Sequence, residues 1–399
     1  MATNGESVLA EHTMKNEAEH LTNGTGVKVN NWSSPGPAAF DFRSDVVTTP
    51  TARMLAAITS TSLLDDIFQE DPTTNSLESF IADLTGKEAS LLVLSGTMGN
   101  QVAIRTHLAG PPHSVLTDHR SHILEWEAGG VASLCGALVK AVVPKNGRYL
   151  TLEDVKKSAS LPTGNLPSDI HSCPTRLISL ENTLAGMITP LEECRRISEW
   201  AREQGIAMHL DGARLWEAVA SGAGKLEEYC ACFDSVSLCF SKGLGAPIGS
   251  IIIGTEAFIR RARWVRKSIG GGLRQAGVIT AAARVAVEDT FLGEKLAASH
   301  VRAREISEMW IGYGGKVTNA VETNMVWFDL EAAGVSAEEF VEMGEKMGVR
   351  LLGGRLVVHY QIGDEAVERL KRLMEGVFKG RKVEGRAEHG AEKLQIEVE

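Results

Sequence analysis

The sequence predicts an α/β protein, with a large domain built on a mainly parallel sheet and a small C-terminal α+β domain. Between residues 89 and 255, short apolar runs typical of buried strands alternate with helical stretches. Polar residues directly follow several of these runs, at the carboxyl ends where open parallel sheets bind ligands. Beyond residue 324 the elements are shorter and follow the order β–α–β–β–α.

Each predicted strand is an apolar run that stops at glycine, proline or a polar cluster. The strands of the large sheet are expected at residues 89–95, 114–117, 138–143, 175–180, 206–211, 236–240 and 251–253. The pattern of apolar residues predicts helices at residues 51–62, 76–84, 101–108, 190–204, 256–267 and 276–310. The small domain is expected to comprise strands 325–329, 349–352 and 355–359 and helices 336–347 and 364–378.

Composition suggests the domain boundaries. Residues 1–36 are rich in Asn, Thr, Gly, Ser and Glu, which predicts a disordered N-terminal extension. The large domain is then expected over residues 37–290 and the small domain over residues 291–380. The charged residues 381–399 predict a disordered tail.

Bulk properties exclude several classes of protein. The chain has 399 residues, 43% of them hydrophobic and 23% charged, and a net charge of −10, without a basic block suited to nucleic acid or an anionic membrane. Its six cysteines match neither a zinc site nor a disulfide scaffold, so we expect buried thiols and no metal. No apolar run is long enough to span a bilayer, and the acidic N-terminal segment argues against a secretory signal. A cytoplasmic location is the expectation.

Two strand ends carry the residues from which a chemistry can be inferred. Lys242 follows the run 236–240 and lies in a glycine-rich turn, while Asp211 ends the run 206–211. Alone, Lys242 could be a solvated loop residue. A desolvated lysine, however, forms Schiff bases with carbonyls, and a buried aspartate is costly unless it is paired. Pyridoxal phosphate (PLP) requires this combination, because an aspartate beside its ring nitrogen keeps the ring cationic.

Other polar positions are candidates for binding the rest of such a cofactor. Gly96 and Thr97 stand where a strand meets a helix, an arrangement that binds phosphate through free N–H groups, although Thr97 could equally be a plain helix cap. His122 follows a short strand and could stack on a ring or lie on the surface. Lys267 ends a basic helix, and Arg274 follows the glycine run after it. These two residues either bind the phosphate or belong to a solvated cationic face.

Several motifs in order resemble the threonine aldolase family, PLP-dependent enzymes of fold type I, over residues 40–380, and look closest to its fungal branch. The motifs that carry the resemblance are DFRSDVVTTPT, SGTMGNQVAIRTHL, DHRSHILEWEAGG, TRLISLENT, HLDGARLW, SKGLGAPIGS, GGGLRQAG and GGRLVVHYQ. It implies the PLP-dependent transferase fold, with a seven-stranded type of sheet in the large domain. It also implies a homodimer or homotetramer with shared active sites and a small amino-acid substrate.

The resemblance implies a role for each matching residue. Lys242 would hold PLP covalently, Asp211 would pair with the ring nitrogen and His122 would stack on the ring face. Other positions would hold the phosphate, namely Gly96, Thr97 and Ser241, with Lys267 and Arg274 from a partner subunit. A third group would hold the substrate carboxylate, as guanidinium groups do with two parallel hydrogen bonds, namely Ser44, Arg214 and Arg355.

The chain departs from the family pattern at two places. Family members usually carry a histidine after the ENT motif, where this chain has Leu184 and Ala185, and a tyrosine where it has Phe68. Both missing groups would lie near the β-hydroxyl of the substrate, whose proton a base must remove during aldol cleavage. Either the changes are neutral or the site no longer acts on a β-hydroxyl.

Two activities therefore remain open. The first is a low-specificity L-threonine or allo-threonine aldolase, which cleaves its substrate to glycine and acetaldehyde. The alternative is an amino-acid racemase, acting on alanine, of the kind that supplies D-residues to fungal peptide natural products. A PLP-free binding protein of the same fold is a third class, which the presence of Lys242, Asp211, Arg214 and Arg355 disfavours.

Overall fold

The computed structural model describes residues 31–161 and 170–392. A seven-stranded sheet forms its centre, in the order β1-β7-β6-β5-β4-β2-β3. The strands are β1 (Ala89–Val93), β2 (Ser114–Asp118), β3 (Leu138–Val142), β4 (Thr175–Glu181), β5 (Ala207–Asp211), β6 (Ser235–Cys239) and β7 (Ser250–Gly254). Only β7 runs antiparallel to its neighbours, β1 and β6. The predicted mainly parallel, seven-stranded sheet is thus confirmed.

Helices flank the strands along the chain. In the large domain they are α1 (Ala52–Thr59), α2 (Pro72–Thr85), α3 (Gly96–His107), α4 (His122–Glu125), α5 (Gly130–Cys135), α6 (Leu152–Ser158), α7 (Leu191–Glu203), α8 (Leu215–Ala220), α9 (Leu226–Ala231), α10 (Glu256–Ser268) and α11 (Gly277–Ala286). The helix predicted over residues 276–310 is interrupted, because a π-helical turn at Val287–Phe291 separates α11 from α12 (Lys295–Gly312).

Both faces of the sheet are covered. Along β7, Ile251 and Ile253 belong to one core and Ile252 to another, because successive side chains of a strand point to opposite faces. The first core is closed by α1, α2, α7, α8, α9 and α11. Helices α3, α4, α5 and α10 cover the opposite face. Strands buried on both faces explain the continuous apolar runs of the sequence.

The small domain has its own core, to which the N-terminal segment also contributes. Its elements are β8 (Met325–Trp327), α13 (Ala337–Lys346), β9 (Arg355–Val357) and α14 (Asp364–Glu392), with β8 and β9 antiparallel. Phe42 is fully buried in this core beside Trp310 of α12. The expected large domain, residues 37–290, thus begins with a segment that packs against the small one.

The structure differs from the expectations at one strand of the small domain and at the C-terminal tail. The strand expected at residues 349–352 is wrong: Arg350 and Leu352 form isolated bridges, and Arg350 pairs with Asp41. Helix α14 continues to Glu392, so the tail expected to be disordered from residue 381 is helical that far, since no proline interrupts it. Residues 1–30 and 393–399 of the expected disordered ends lie outside the described residues. In the described part of the chain, no helix is long and apolar enough to cross a membrane.

Candidate active site at the carboxyl edge of the sheet

Lys242 lies in the turn between β6 and the antiparallel β7, at the edge where the parallel strands end. Its carbonyl oxygen accepts a hydrogen bond from Thr48 Oγ1 at 2.8 Å and from the Gly245 N–H at 2.9 Å. Gly245 has φ +87°, and a Cβ there would lie 2.4 Å from the Tyr360 hydroxyl. A side chain at residue 245 would therefore displace the turn that carries the lysine.

Asp211 ends β5 and is 4% exposed. Its Oδ2 accepts a hydrogen bond from Asn100 Nδ2 at 2.8 Å, and its Oδ1 accepts one from the Ala213 N–H at 3.1 Å. These two donors fix the plane of the carboxylate and satisfy part of its buried charge. The strand-end aspartate is thus held rigidly, as a partner for a ring nitrogen must be.

His122 begins α4 and is held at two points. Its Nδ1 lies 2.9 Å from Glu127 Oε1, and its backbone N–H donates to Glu181 Oε2 at 2.8 Å. The Glu127 hydrogen bond raises the pKa of His122 against the effect of burial, with a further contribution from the Asp211 charge. One ligand atom each of His122, Glu127 and Asp211 lies within 4.8 Å of the others. The predicted partners His122 and Asp211 are therefore neighbours.

Glu181 is a site residue whose importance the sequence did not reveal. It ends β4 directly beside Asp211, to which it is paired in the sheet register. Burial, followed by the Asp211 charge, raises the pKa of Glu181 to about 8, although the His122 N–H and the Lys242 charge oppose the rise. At neutral pH this carboxyl therefore carries a proton.

Arg214 is paired before any substrate arrives. Its Nε and Nη2 donate to the two carboxylate oxygens of the fully buried Asp45, at 2.8 and 2.6 Å. Burial disfavours the charge of Asp45, but Arg214 outweighs it and lowers the pKa of that carboxyl to about 2. A guanidinium has five N–H groups, so three remain for another acceptor. Asp45 was not predicted, although it follows the predicted Ser44 directly.

Arg355 lies at the start of β9 and brings the small domain to the site. Its Nη2 donates to the Arg43 carbonyl oxygen at 3.1 Å, while its Nε is buried without a partner in the described residues. Burial and the Arg214 charge lower its pKa. Two guanidinium groups close enough to repel each other, one with an unpaired buried donor, are suited to an incoming carboxylate.

The N-terminus of α3 is where the sequence predicts a phosphate to bind. The helix begins at Gly96, earlier than predicted, and Ser95 caps it by accepting the Met98 N–H at 3.1 Å, so Thr97 is not the cap. A Cβ at Gly96 would lie 2.7 Å from Cys239 Sγ of β6. Only glycine allows this helix end to lie against Cys239, the last residue of β6, which Ser241 and Lys242 follow closely in the chain. This geometry presents free N–H groups to an anion.

Lys267 and Arg274 lie beside the loop of residues 65–68. Arg274 Nη1 donates to Asp65 Oδ2 at 2.9 Å, and Lys267 Nζ and Ile67 both border Gly272. Phe68, in the same loop, is 70% exposed. The two positions that the resemblance associates with another subunit, Lys267 and Arg274, thus lie close to the exposed loop that carries Phe68.

Leu184 and Ala185, which follow the ENT motif, lie on the side of the site that carries Arg355. Leu184 is buried, and Ala185 has φ +53°. The Ala185 carbonyl oxygen accepts a hydrogen bond from Trp327 Nε1 at 2.9 Å, and the guanidinium carbon of Arg355 lies 6.0 Å from the Trp327 ring centroid. Residue 185 is therefore connected through one indole to Arg355.

The residues present fit PLP. The site combines a lysine in a tight turn, a rigid buried aspartate, a helix N-terminus against which no Cβ fits, and a buried arginine donor that has no partner among the residues the structure describes. On this sheet, the combination defines a PLP-dependent enzyme of fold type I, with PLP as its cofactor.

Comparisons with known proteins identify the family. Residues 41–333 match the family described as "Beta-eliminating lyase". Three relatives are similar over most of their length: the "Aldolase vrtJ" of Penicillium aethiopicum (63% identity over 88% of this chain and 89% of the relative), the "Alanine racemase TOXG" of Cochliobolus carbonum (44%, over 87% and 90%), and the "Low-specificity L-threonine aldolase" of Candida albicans (46%, over 84% and 88%). The chain belongs to the beta-eliminating lyase family and, within it, to the threonine aldolases, so it is a PLP-dependent lyase.

A solved structure agrees with the fold. A putative L-allo-threonine aldolase from Listeria monocytogenes superposes with a TM-score of 0.67 at 24% identity, over 86% of this chain and 98% of the other. At this identity the likeness supports the fold alone. The predicted fold type I architecture, with its large and small domains in one chain, is therefore confirmed.

Proposed function

We propose that the protein cleaves L-threonine or L-allo-threonine to glycine and acetaldehyde. The observation that carries the proposal is the adjacency of the Lys242–Asp211–His122 group to two guanidinium groups, because together they would bind an α-amino acid by its amine and its carboxylate. When bound at Lys242, PLP supplies an electron sink for the bond that breaks at Cα. The similarity to a protein named an aldolase, at 63% identity, supports this choice.

The carboxylate of the substrate would be held by Arg355 and Arg214. Arg355 offers the buried Nε that has no partner in the described residues, and Arg214 keeps three N–H groups beyond those bound to Asp45. Ser44 lies next to Asp45 and would donate its hydroxyl. Fixing the carboxylate would decide which bond at Cα breaks, and in aldol cleavage that bond is Cα–Cβ.

The proton of the β-hydroxyl must leave during cleavage. Glu127 accepts a hydrogen bond from His122 Nδ1, so the other ring nitrogen of His122, Nε2, points away from Glu127. A residue that reaches the hydroxyl directly would contribute about 10²–10⁴ in rate. With leucine and alanine at residues 184 and 185, we propose that a water molecule takes this proton.

A second candidate is racemisation of alanine. The observation that favours it is the apolar loop at Leu184 and Ala185, beside the Arg355 side of the site, together with the 44% identity to a protein named an alanine racemase. In this reaction the Cα proton would be removed on one face and returned on the other. The Lys242 amine and a group on the opposite face would carry it.

We propose that the working form is a cytoplasmic homodimer or homotetramer, in which Lys267 and Arg274 reach the phosphate of a second copy. Their position beside the exposed Phe68, on one loop edge, supports an interface there.

The decisive assay compares substrates on one enzyme preparation. L-threonine, L-allo-threonine and L-alanine are supplied separately in D₂O, and acetaldehyde, Cα deuterium and D-alanine are measured. Acetaldehyde without D-alanine supports the aldolase, while D-alanine without acetaldehyde replaces it with the racemase. Lys242→Ala should abolish both reactions and the borohydride-sensitive visible absorbance band; Lys225→Ala, an exposed lysine of the same domain, is the control.

A further inference from the structure

A chain of buried polar side chains connects Asp211 to the opposite end of the sheet. From Asp211 Oδ2 it passes to Asn100 Nδ2 (2.8 Å), from Asn100 Oδ1 to His209 Nε2 (3.0 Å), from His209 Nδ1 to Ser235 Oγ (2.8 Å), and from Ser235 Oγ to His107 Nε2 (2.7 Å). His107 lines a surface cleft at the amino ends of β5 and β6. Nothing in the proposed reactions uses these side chains.

The fold places the members of this chain at matched positions. His209 precedes Asp211 by two residues on β5, so both side chains lie on the same face of the sheet. Ser235 is the register partner of His209 on β6. Asn100 and His107 are separated by about two turns of α3 and so share one helix face. The helix thus contributes the first and last of the four residues, and the two strands contribute the two between them.

The hydrogen atoms of the chain can be placed from chemistry. Asn100 Nδ2 has two hydrogens, and it donates to both Asp211 Oδ2 and Glu127 Oε1, each at 2.8 Å. The Asn100 amide cannot be flipped, because its oxygen would then face two carboxylates. Asn100 Oδ1 must therefore accept from His209, which carries its hydrogen on Nε2.

The same reasoning fixes the outer half of the chain. Burial, with the neighbouring His107, lowers the pKa of His209 to about 3, so its ring is neutral and Nδ1 is an acceptor. The single Ser235 hydrogen consequently points at His209. Ser235 Oγ then accepts from Nε2 of His107, whose pKa burial lowers to about 4. Every donor in the chain is directed toward Asp211.

We propose that Asn100, His209, Ser235 and His107 are positioning residues, which orient Asp211 and favour its anionic form through a hydrogen-bond chain that runs in one direction from the cleft to the active site. Aligned hydrogen bonds polarise one another, so the chain presents Asp211 with a stronger donor than an isolated amide would. The inference concerns the pairing of Asp211 with the cofactor ring and holds for either proposed reaction.

The first test is spectroscopic and uses wild-type, PLP-loaded enzyme with ¹⁵N-labelled histidine. Both His209 and His107 should show the tautomer with hydrogen on Nε2, with nitrogen shifts that stay constant from about pH 5.5 to 8.5. His209→Gln and His107→Gln assign the two signals. A His209 ring with its hydrogen on Nδ1, or one that titrates in this range, overturns the proposal.

The second test measures PLP affinity by equilibrium titration of the apoenzyme. Asn100→Leu removes a hydrogen bond to Asp211, and His209→Leu removes the donor that orients the Asn100 amide. Each variant should weaken PLP binding about 10-fold or more. His209→Gln should restore most of the affinity, since its amide can still donate to Asn100. The control is His113→Leu, which removes an equally buried histidine whose ring, in the described part of the chain, is hydrogen-bonded to the Cys135 carbonyl oxygen and is not part of the chain of side chains from Asp211.

Two results of this titration would contradict the inference. One is unchanged PLP affinity in both leucine variants that fold, as judged by circular dichroism. The other is an equal loss of affinity in His113→Leu and His209→Leu, which would assign the effect to packing.

Discussion

Glu181→Gln should remove a pH dependence of stability that the wild-type apoprotein shows. The pKa of Glu181 rises from an ordinary value of 4.5 to about 8, because the carboxyl is buried beside the Asp211 charge. Between these values the folded state keeps the proton and the unfolded state releases it. Stability contributed by this group is therefore fully present below about pH 4.5 and is lost as pH rises to about 8.

The magnitude follows from the rise in pKa. At about 1.4 kcal/mol for each tenfold change in the proton equilibrium, a rise from 4.5 to about 8 amounts to about 5 kcal/mol. Although burial is the main cause of the raised pKa, the Glu181 side chain keeps some exposed area. Water reduces the value accordingly, and we expect about 2 to 3 kcal/mol between pH 5 and 8. Glutamine keeps the acceptor for the His122 N–H but has no proton to release.

The assay is urea unfolding of apoprotein at pH 5, 6, 7 and 8, for the wild type and Glu181→Gln in parallel. The difference in unfolding free energy between the two proteins is the quantity of interest, because titrating groups that do not interact with Glu181 cancel in it. The unfolding free energy of the variant should increase relative to that of the wild type as pH rises. A difference that stays constant within about 0.5 kcal/mol across this range would refute the raised pKa.

Three further predictions concern separate parts of the site. Asp45→Asn should cost about 3 kcal/mol in urea unfolding, because it leaves the buried charge of Arg214 uncompensated; a loss below about 1 kcal/mol would contradict this. Gly96→Ala should destabilise the protein by about 1 to 3 kcal/mol through the contact with Cys239 Sγ, and adding Cys239→Ala should recover much of this in the same measurement. Ala185→His should raise acetaldehyde release from L-threonine if the missing base limits cleavage, since histidine tolerates the positive φ better than most residues; Ala185→Asn, which shares that tolerance but lacks a base, should leave the rate unchanged.

The strands were predictable because burial on both faces leaves an apolar run with sharp ends. The predicted run 206–211 ends at Asp211, as β5 does, and the short glycine-rich connection after residue 240 indicated the hairpin of β6 and β7. The spatial order of the strands was not predictable, because it depends on contacts between distant parts of the chain. The error at residues 349–352 has the same origin, since that apolar run pairs by single bridges rather than by a ladder.

The sequence pointed to Lys242 and Asp211 because they interrupt buried strands. It could not show which polar groups join them. Asp45 meets Arg214 across 169 residues, and Asn100 meets Asp211 across 111. Glu181 was visible only as one more polar residue after a strand; its raised pKa comes from its neighbour in the sheet register. Contacts between residues so far apart in the chain leave no periodic pattern in the sequence. The roles assigned to the individual site residues stay predictions.

The fully buried Arg266 of α10 has a consequence for how this fold can change its chemistry. Its Nη2 donates to Asp66 at 2.5 Å and its Nη1 to the Leu92 carbonyl oxygen at 2.8 Å, so the loop that bears Phe68 is anchored to the central sheet. The side chain at residue 68 therefore projects from a rigid frame. One codon there can exchange a phenol for a plain phenyl ring while the backbone that supports it stays in place.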